Sequence, residues 1–70
     1  MPLWTAKKIR ELREKYGDDR RTFARRVGVS IHTVRAWELG AGEPIGPARL
    51  FMSRLEEDVD QGKIRELVIV

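Results

Sequence analysis

The feature that most constrains this chain lies at residues 20–38. Two short stretches there repeat apolar residues at helical spacing, and only Gly28-Val29-Ser30 separates them. The first, 20–27, places Phe23, Ala24 and Val27 on one face, and the second, 31–39, places Val34 and Trp37 on one face. Glycine adopts the left-handed conformation cheaply, so Gly28 can close one helix and start a sharp reversal. Ser30 is a strong N-cap for the next helix. Ala24 falls where two steeply crossing helices would touch, and Val29 and Val34 fill the angle between them. Such a pair of helices can project one member into a DNA major groove.

The flanking sequence supplies two further helices. One runs over 5–16, with Thr5 as N-cap, Ile9, Leu12 and Tyr16 at helical spacing, and Gly17 as its stop. Trp4, just before the cap, is placed to fold back on the helix start. Asp19 is the better N-cap of the Asp18-Asp19 pair for helix 20–27. After a loop at 40–46, Pro47 sits at a favourable first helical position, and Ala48, Phe51, Met52, Leu55 and Val59 follow one face. Gly62 is a last break. The tail beyond it reads two ways: its β-branched end suits a strand, while Ile64, Leu67 and Val68 also suit a short helix. The expected architecture is therefore all-α, a compact bundle of four to five helices over 1–61, followed by a tail over 62–70.

Length and composition narrow the function. Seventy residues make one domain with little room for a ligand pocket beside its core. The chain has no cysteine and one histidine, so no thiolate zinc site is expected, nor any other metal or cofactor. No catalytic constellation can be named, and an enzyme is the weakest reading. The start of the chain runs into a charged helix without a secretory signal, and the apolar runs are too short to cross a bilayer. A cytoplasmic protein is the expectation. Net charge is +3, but residues 1–35 hold ten of the fourteen basic residues and four of the eleven acids, a net +6, against −3 for 36–70. A basic half points to a polyanion or to a solvated helix surface.

Several residues fall together in one register. Ala24 lies four positions before Gly28, Val29-Ser30 occupies the turn, and Thr33-Val34-Arg35-Ala36-Trp37-Glu38 is followed by Gly40 and Pro44. In these the chain resembles the phage-repressor-like (Cro/repressor, XRE-type) helix-turn-helix proteins over about residues 5–56, and Ile45-Gly46-Pro47-Ala48 is similar to their small antitoxin-type branch. The resemblance implies base reading by Ile31, His32, Thr33 and Arg35, and a phosphate or supporting contact from Arg20. It also implies a structural ion pair between Arg13 and Glu38. The chain departs from it in two respects: Ala41 and Glu43 stand in a loop that is usually basic, and Asp18 replaces an apolar residue, leaving Tyr16 as the candidate to fill that space.

The residues support the same assignment on physical grounds. His32 and Arg35, three apart, share a side opposite Val34 and Trp37. Arg35 can donate two bonds to a guanine edge, and Thr33 or Ile31 can touch a thymine methyl. Ser30 leaves the start of helix 31–39 able to face a phosphate. Arg21, Arg25, Lys7 and Lys8 join Arg20 as phosphate candidates, while Arg26, like Arg25, is open between phosphate contact and a solvated face. Trp37 reads as core. Leu67, Val68, Ile69 and Val70 are too apolar to leave in water without cause and read as a dimer contact. The expected partners are double-stranded DNA and a second copy, with no membrane. The leading function is a transcriptional repressor. Alternatives are an antitoxin-type autoregulator with a toxin partner, a phage DNA-packaging or excision accessory protein, and a protein–protein module that keeps the fold alone.

Overall fold

A computed structural model describes residues 4–62; Leu67, Val68, Ile69 and Val70, and with them the choice between strand and helix in the tail, lie outside the described residues. The described chain is all-α and folds as four helices: α1 Ala6–Lys15, α2 Arg20–Val27, α3 Ile31–Glu38 and α4 Gly46–Asp60. α3 packs on both α1 and α2, and α2 also meets α4. No helix among the described residues is long and apolar enough to cross a membrane.

Local chemistry explains where three of these helices begin. The side chains of Thr5, Asp19 and Ser30 accept from the backbone N–H groups of Lys8, Thr22 and Thr33, at 3.1, 2.7 and 3.2 Å. Each satisfies a donor that the first helical turn would leave unpaired. α4 starts without a side-chain cap, at Gly46, and Pro47 is its second residue. α1 and α3 each end one residue earlier than the apolar spacing suggests, with Tyr16 and Leu39 as C-caps. Offsets of this size are usual at helix ends.

Gly28 makes the turn between α2 and α3. It lies at φ +85°, and its N–H and that of Val29 both donate to the Ala24 carbonyl, at 2.8 and 3.0 Å. A Cβ at this position would meet nothing within 4 Å. Gly28→Ala is therefore expected to cost only the left-handed backbone penalty, about 1–2 kcal/mol. That corresponds to a fall in Tm on the order of 5–15 °C for a domain of this size, measurable by thermal denaturation. An unchanged Tm would show that the turn does not depend on glycine.

The core gathers Phe23, Ala24 and Val27 of α2, Val34 and Trp37 of α3, Ile9 and Leu12 of α1, and Met52 and Leu55 of α4. Trp4 and Tyr16 close it at the two ends of α1, and Ala48 and Val59 pack at its edge. Phe51 departs from the expected stripe: it is 40% exposed and lies on the rim of the α4 face. Asp18 is the second departure. Tyr16 is buried in the core, and Asp18 is buried as well, taking two bonds from Arg26 at 2.7 and 3.1 Å. The Arg26 guanidinium lies 4.2 Å over the Tyr16 ring, and Tyr16 donates its hydroxyl to the Leu55 carbonyl at 2.7 Å. An ion pair with an aromatic lid closes this end of the domain.

Candidate nucleic-acid interface

α3 turns Val34, Trp37 and Glu38 inward and leaves His32 and Arg35 exposed, with Ile31 and Thr33 half-buried at the two edges of its outer face. Eight residues make a helix about 12 Å long, comparable to the width of a major groove. Beside the Ile31 edge lies a shallow depression lined by Arg13, Asp19, Arg20, Arg21, Ile31 and Arg35. The start of α2 and the first turns of α3 thus meet at one concave, strongly basic surface. Asp19 contributes the one acid, and its carboxylate caps α2 through the Thr22 N–H. That bond, more than the neighbouring arginines, holds its carboxyl below the ordinary carboxylate value.

Two of the lining residues, Arg13 and Arg20, belong to an ion-pair cluster on Glu38, whose side chain is 1% exposed. Arg13 donates from Nε to Oε2 at 2.8 Å and from Nη2 to Oε1 at 3.2 Å. Arg20 donates from Nε to Oε1 at 3.2 Å, and Arg10 Nε lies 4.0 Å from the same oxygen. Burial pushes the Glu38 carboxyl up, but the bonds from Arg13 and Arg20 outweigh it and hold the group below its ordinary value. Arg13 in turn is held charged, chiefly by its bond to Glu38. Arg13 also donates from Nη1 to the Asp18 carbonyl at 3.0 Å, which ties the α1–α2 loop to the cluster. The expected Arg13–Glu38 pair is therefore present and larger than a pair: Arg20, a phosphate candidate, is anchored at one nitrogen, with its side chain 43% exposed.

The remaining candidates divide by position. Arg21 and Arg25, one turn apart on α2, are exposed. Among the described residues, no carboxylate forms an ion pair with Arg21, Arg25 or Arg35. Ser30 is exposed, but its hydroxyl is engaged as the α3 cap and lies 3.1 Å from the Thr33 hydroxyl. Lys7 is exposed on α1. Lys8 lies 3.5 Å from Glu56 of α4 and 4.5 Å above the Trp4 ring, and it lines one hollow with Lys7, Lys15 and Glu56. The structure therefore brings Arg20, Arg21, Ile31 and Arg35 together and leaves Lys7 and Lys8 away from them. Arg26 belongs to the Asp18 pair, with a side chain 9% exposed. Sequence reasoning missed that pair and the attachment of Arg20 to Glu38. The acid at position 18 was the available signal for the first.

No family model, no curated protein and no solved structure matches this chain.

Proposed function

We propose that this chain is a sequence-specific double-stranded DNA-binding protein of the phage-repressor-like helix-turn-helix kind, acting in the cytoplasm as a transcriptional repressor. One observation carries the reading. Arg35 on the outer face of α3 has no ion-pair partner among the described residues, and it shares a depression with Arg20 and Arg21 at the start of α2. Guanidinium groups on two helix edges match a groove and its bordering phosphate: one reads a base edge, the others grip the backbone. His32 and Thr33 lie on the same outward side of α3. One such domain reads few base pairs, so a homodimer on half-sites about 34 Å apart is the functional unit.

Selection of bound duplexes from a random pool tests this directly. Arg35→Ala should then lose discrimination at one guanine by about 1–3 kcal/mol, roughly 5- to 150-fold in relative affinity. Its thermal stability should stay within about 0.5 kcal/mol, as for most surface substitutions. Equal weakening on every sequence would reduce Arg35 to a backbone contact, and a pool yielding no enriched sequence would remove the reading.

A second reading, a protein-binding module, has its own support. Leu39, Ile45 and Leu50 are about three-quarters exposed, and with Phe51 they leave apolar surface on the α3–α4 loop and α4. Under that reading, charge reversal at Arg21 and Arg35 would leave partner capture unchanged.

A further inference from the structure

We infer that the segment 63–70 folds back along α4 of its own chain and seats Leu67, Val68 and Ile69 on an apolar groove beside the α2–α3 turn. The placement is independent of what α3 reads.

Two shallow depressions meet on the outer side of α4. One is lined by Pro47, Leu50, Phe51 and Arg54. The other is lined by Val27, Val29 and Ala48 together with the same Pro47 and Phe51, and it reaches Gly28. They form one continuous apolar groove with Arg54 towards its far end, and Leu50 and Phe51 are exposed on it. Apolar surface gathered in one place on a small domain calls for cover.

The sequence supplies a segment of matching character. Leu67, Val68, Ile69 and Val70 are apolar, and their β-branched run suits extended chain. Reach decides where such a segment can lie. Phe51 is eleven residues before Gly62, about 16 Å back along α4. Leu67 is five residues beyond Gly62, about 16 Å of extended chain. A reversal at Gly62, where φ is +75°, therefore brings Leu67 level with Phe51, and Val68 and Ile69 level with Leu50 and Pro47. A helical segment would advance only about 8 Å over the same five residues and stop short of the groove.

Charge follows the same register. Glu66 comes level with Arg54, which is exposed and forms no ion pair among the described residues. Lys63 and Arg65 flank the level of Glu57 and Asp58, one turn nearer to Gly62. A second copy offers the same segment only at its bulk concentration, whereas a short tether holds the chain's own segment near the groove at about millimolar effective concentration. Contact within the chain therefore takes the place of the dimer contact that the apolar sequence suggests. Seated there, the segment braces Gly28 and Val29, the turn that orients α3.

The chain has no cysteine, so paired replacements test this cleanly in the full chain. Leu50→Cys with Val68→Cys joins the groove to the segment. Lys15→Cys with Val68→Cys is the comparison, because Lys15 lies 3.3 Å from Asp60 near the end of α4, within reach of the segment but off the groove. Leu50 and Lys15 are both exposed, so neither replacement disturbs the core. In a glutathione buffer, with the protein dilute, the Leu50 pair should form an intrachain disulfide at least about tenfold more readily than the Lys15 pair. Arg54→Glu should cut that preference about two- to fivefold, and adding Glu66→Arg should restore it. Equal cross-linking of the two pairs overturns the inference, and so does a preference that Arg54→Glu leaves intact. Disulfides formed only between chains also overturn it, and give the groove to a second copy.

Discussion

Glu38→Ala should lower the free energy of unfolding by about 3–5 kcal/mol, enough to leave a domain of this size largely unfolded at room temperature. The removed carboxylate is buried and faces Arg13, Arg20 and Arg10. Arg13, with a side chain 16% exposed, keeps its bond to the Asp18 carbonyl but loses both of its bonds to Glu38. A guanidinium stranded in that way costs more than the pair contributes when intact. The double replacement Arg13→Met with Glu38→Met removes the stranded charge, and should destabilise less than Glu38→Ala alone. Urea unfolding followed by circular dichroism measures all three proteins. A loss below about 1 kcal/mol for Glu38→Ala would show that the cluster is solvated and contributes little.

The same carboxylate sets the acid limit of the fold. Desolvation raises the Glu38 pKa, the bonds from Arg13 and Arg20 lower it, and the net displacement is downward from 4.5. A depressed carboxyl contributes stability that is complete above its unfolded value and is lost as pH falls through its folded value. Stability should therefore be flat on the basic side of 4.5 and fall below it. Asp19 has a displacement of the same sign. Glu38→Gln should make the fall shallower, and a pH series of urea midpoints reads the difference.

Much of this architecture was legible because it is local. Thr5, Asp19 and Ser30 each bond a backbone N–H three residues ahead, a relation written in consecutive residues. The turn at Gly28 is equally local, and both bounds of α2 follow from its cap and that glycine. Partners across the fold were harder to see. The Arg13–Glu38 pair spans 25 residues and was expected only through a family resemblance. That Arg20 and Arg10 share the same carboxylate depends on how α1, α2 and α3 converge, which no spacing encodes. Asp18 and Arg26 lie eight residues apart on either side of a helix start, where their distance depends on the path of the loop. Phe51 shows the limit of periodicity: helical spacing finds the apolar stripe of α4, but the neighbouring helix decides which edge of it is covered. The candidate interface divides in the same way. His32 and Arg35 were read from one helix alone, whereas the pairing of Lys8 away from the arginines of α2 and α3 involves Glu56 of α4, 48 positions along the chain.

Raising salt from 50 to 200 mM should weaken binding to a selected duplex by about 40-fold for each domain engaged. The logarithm of affinity falls with the logarithm of salt by about 0.9 for each phosphate neutralised. Arg21 and Arg25 are exposed on α2, and Arg20 keeps nitrogens beyond its bond to Glu38. These three would neutralise about three phosphates, giving a slope near −2.7 and a loss of about 40-fold over that range. A homodimer engaging two half-sites would double the slope. Individual residues then separate by mechanism. Arg21→Ala or Arg25→Ala should each reduce the slope by about 0.9 while leaving the preferred sequence unchanged, because a phosphate carries no base identity. Lys8→Ala should leave the slope as it was, since its charge is matched by Glu56 and held against Trp4. Arg35→Ala should change the preferred sequence more than the slope. A salt response that is flat, or that Lys8→Ala lowers as much as Arg21→Ala, would place the polyanion contact on a different face of the domain.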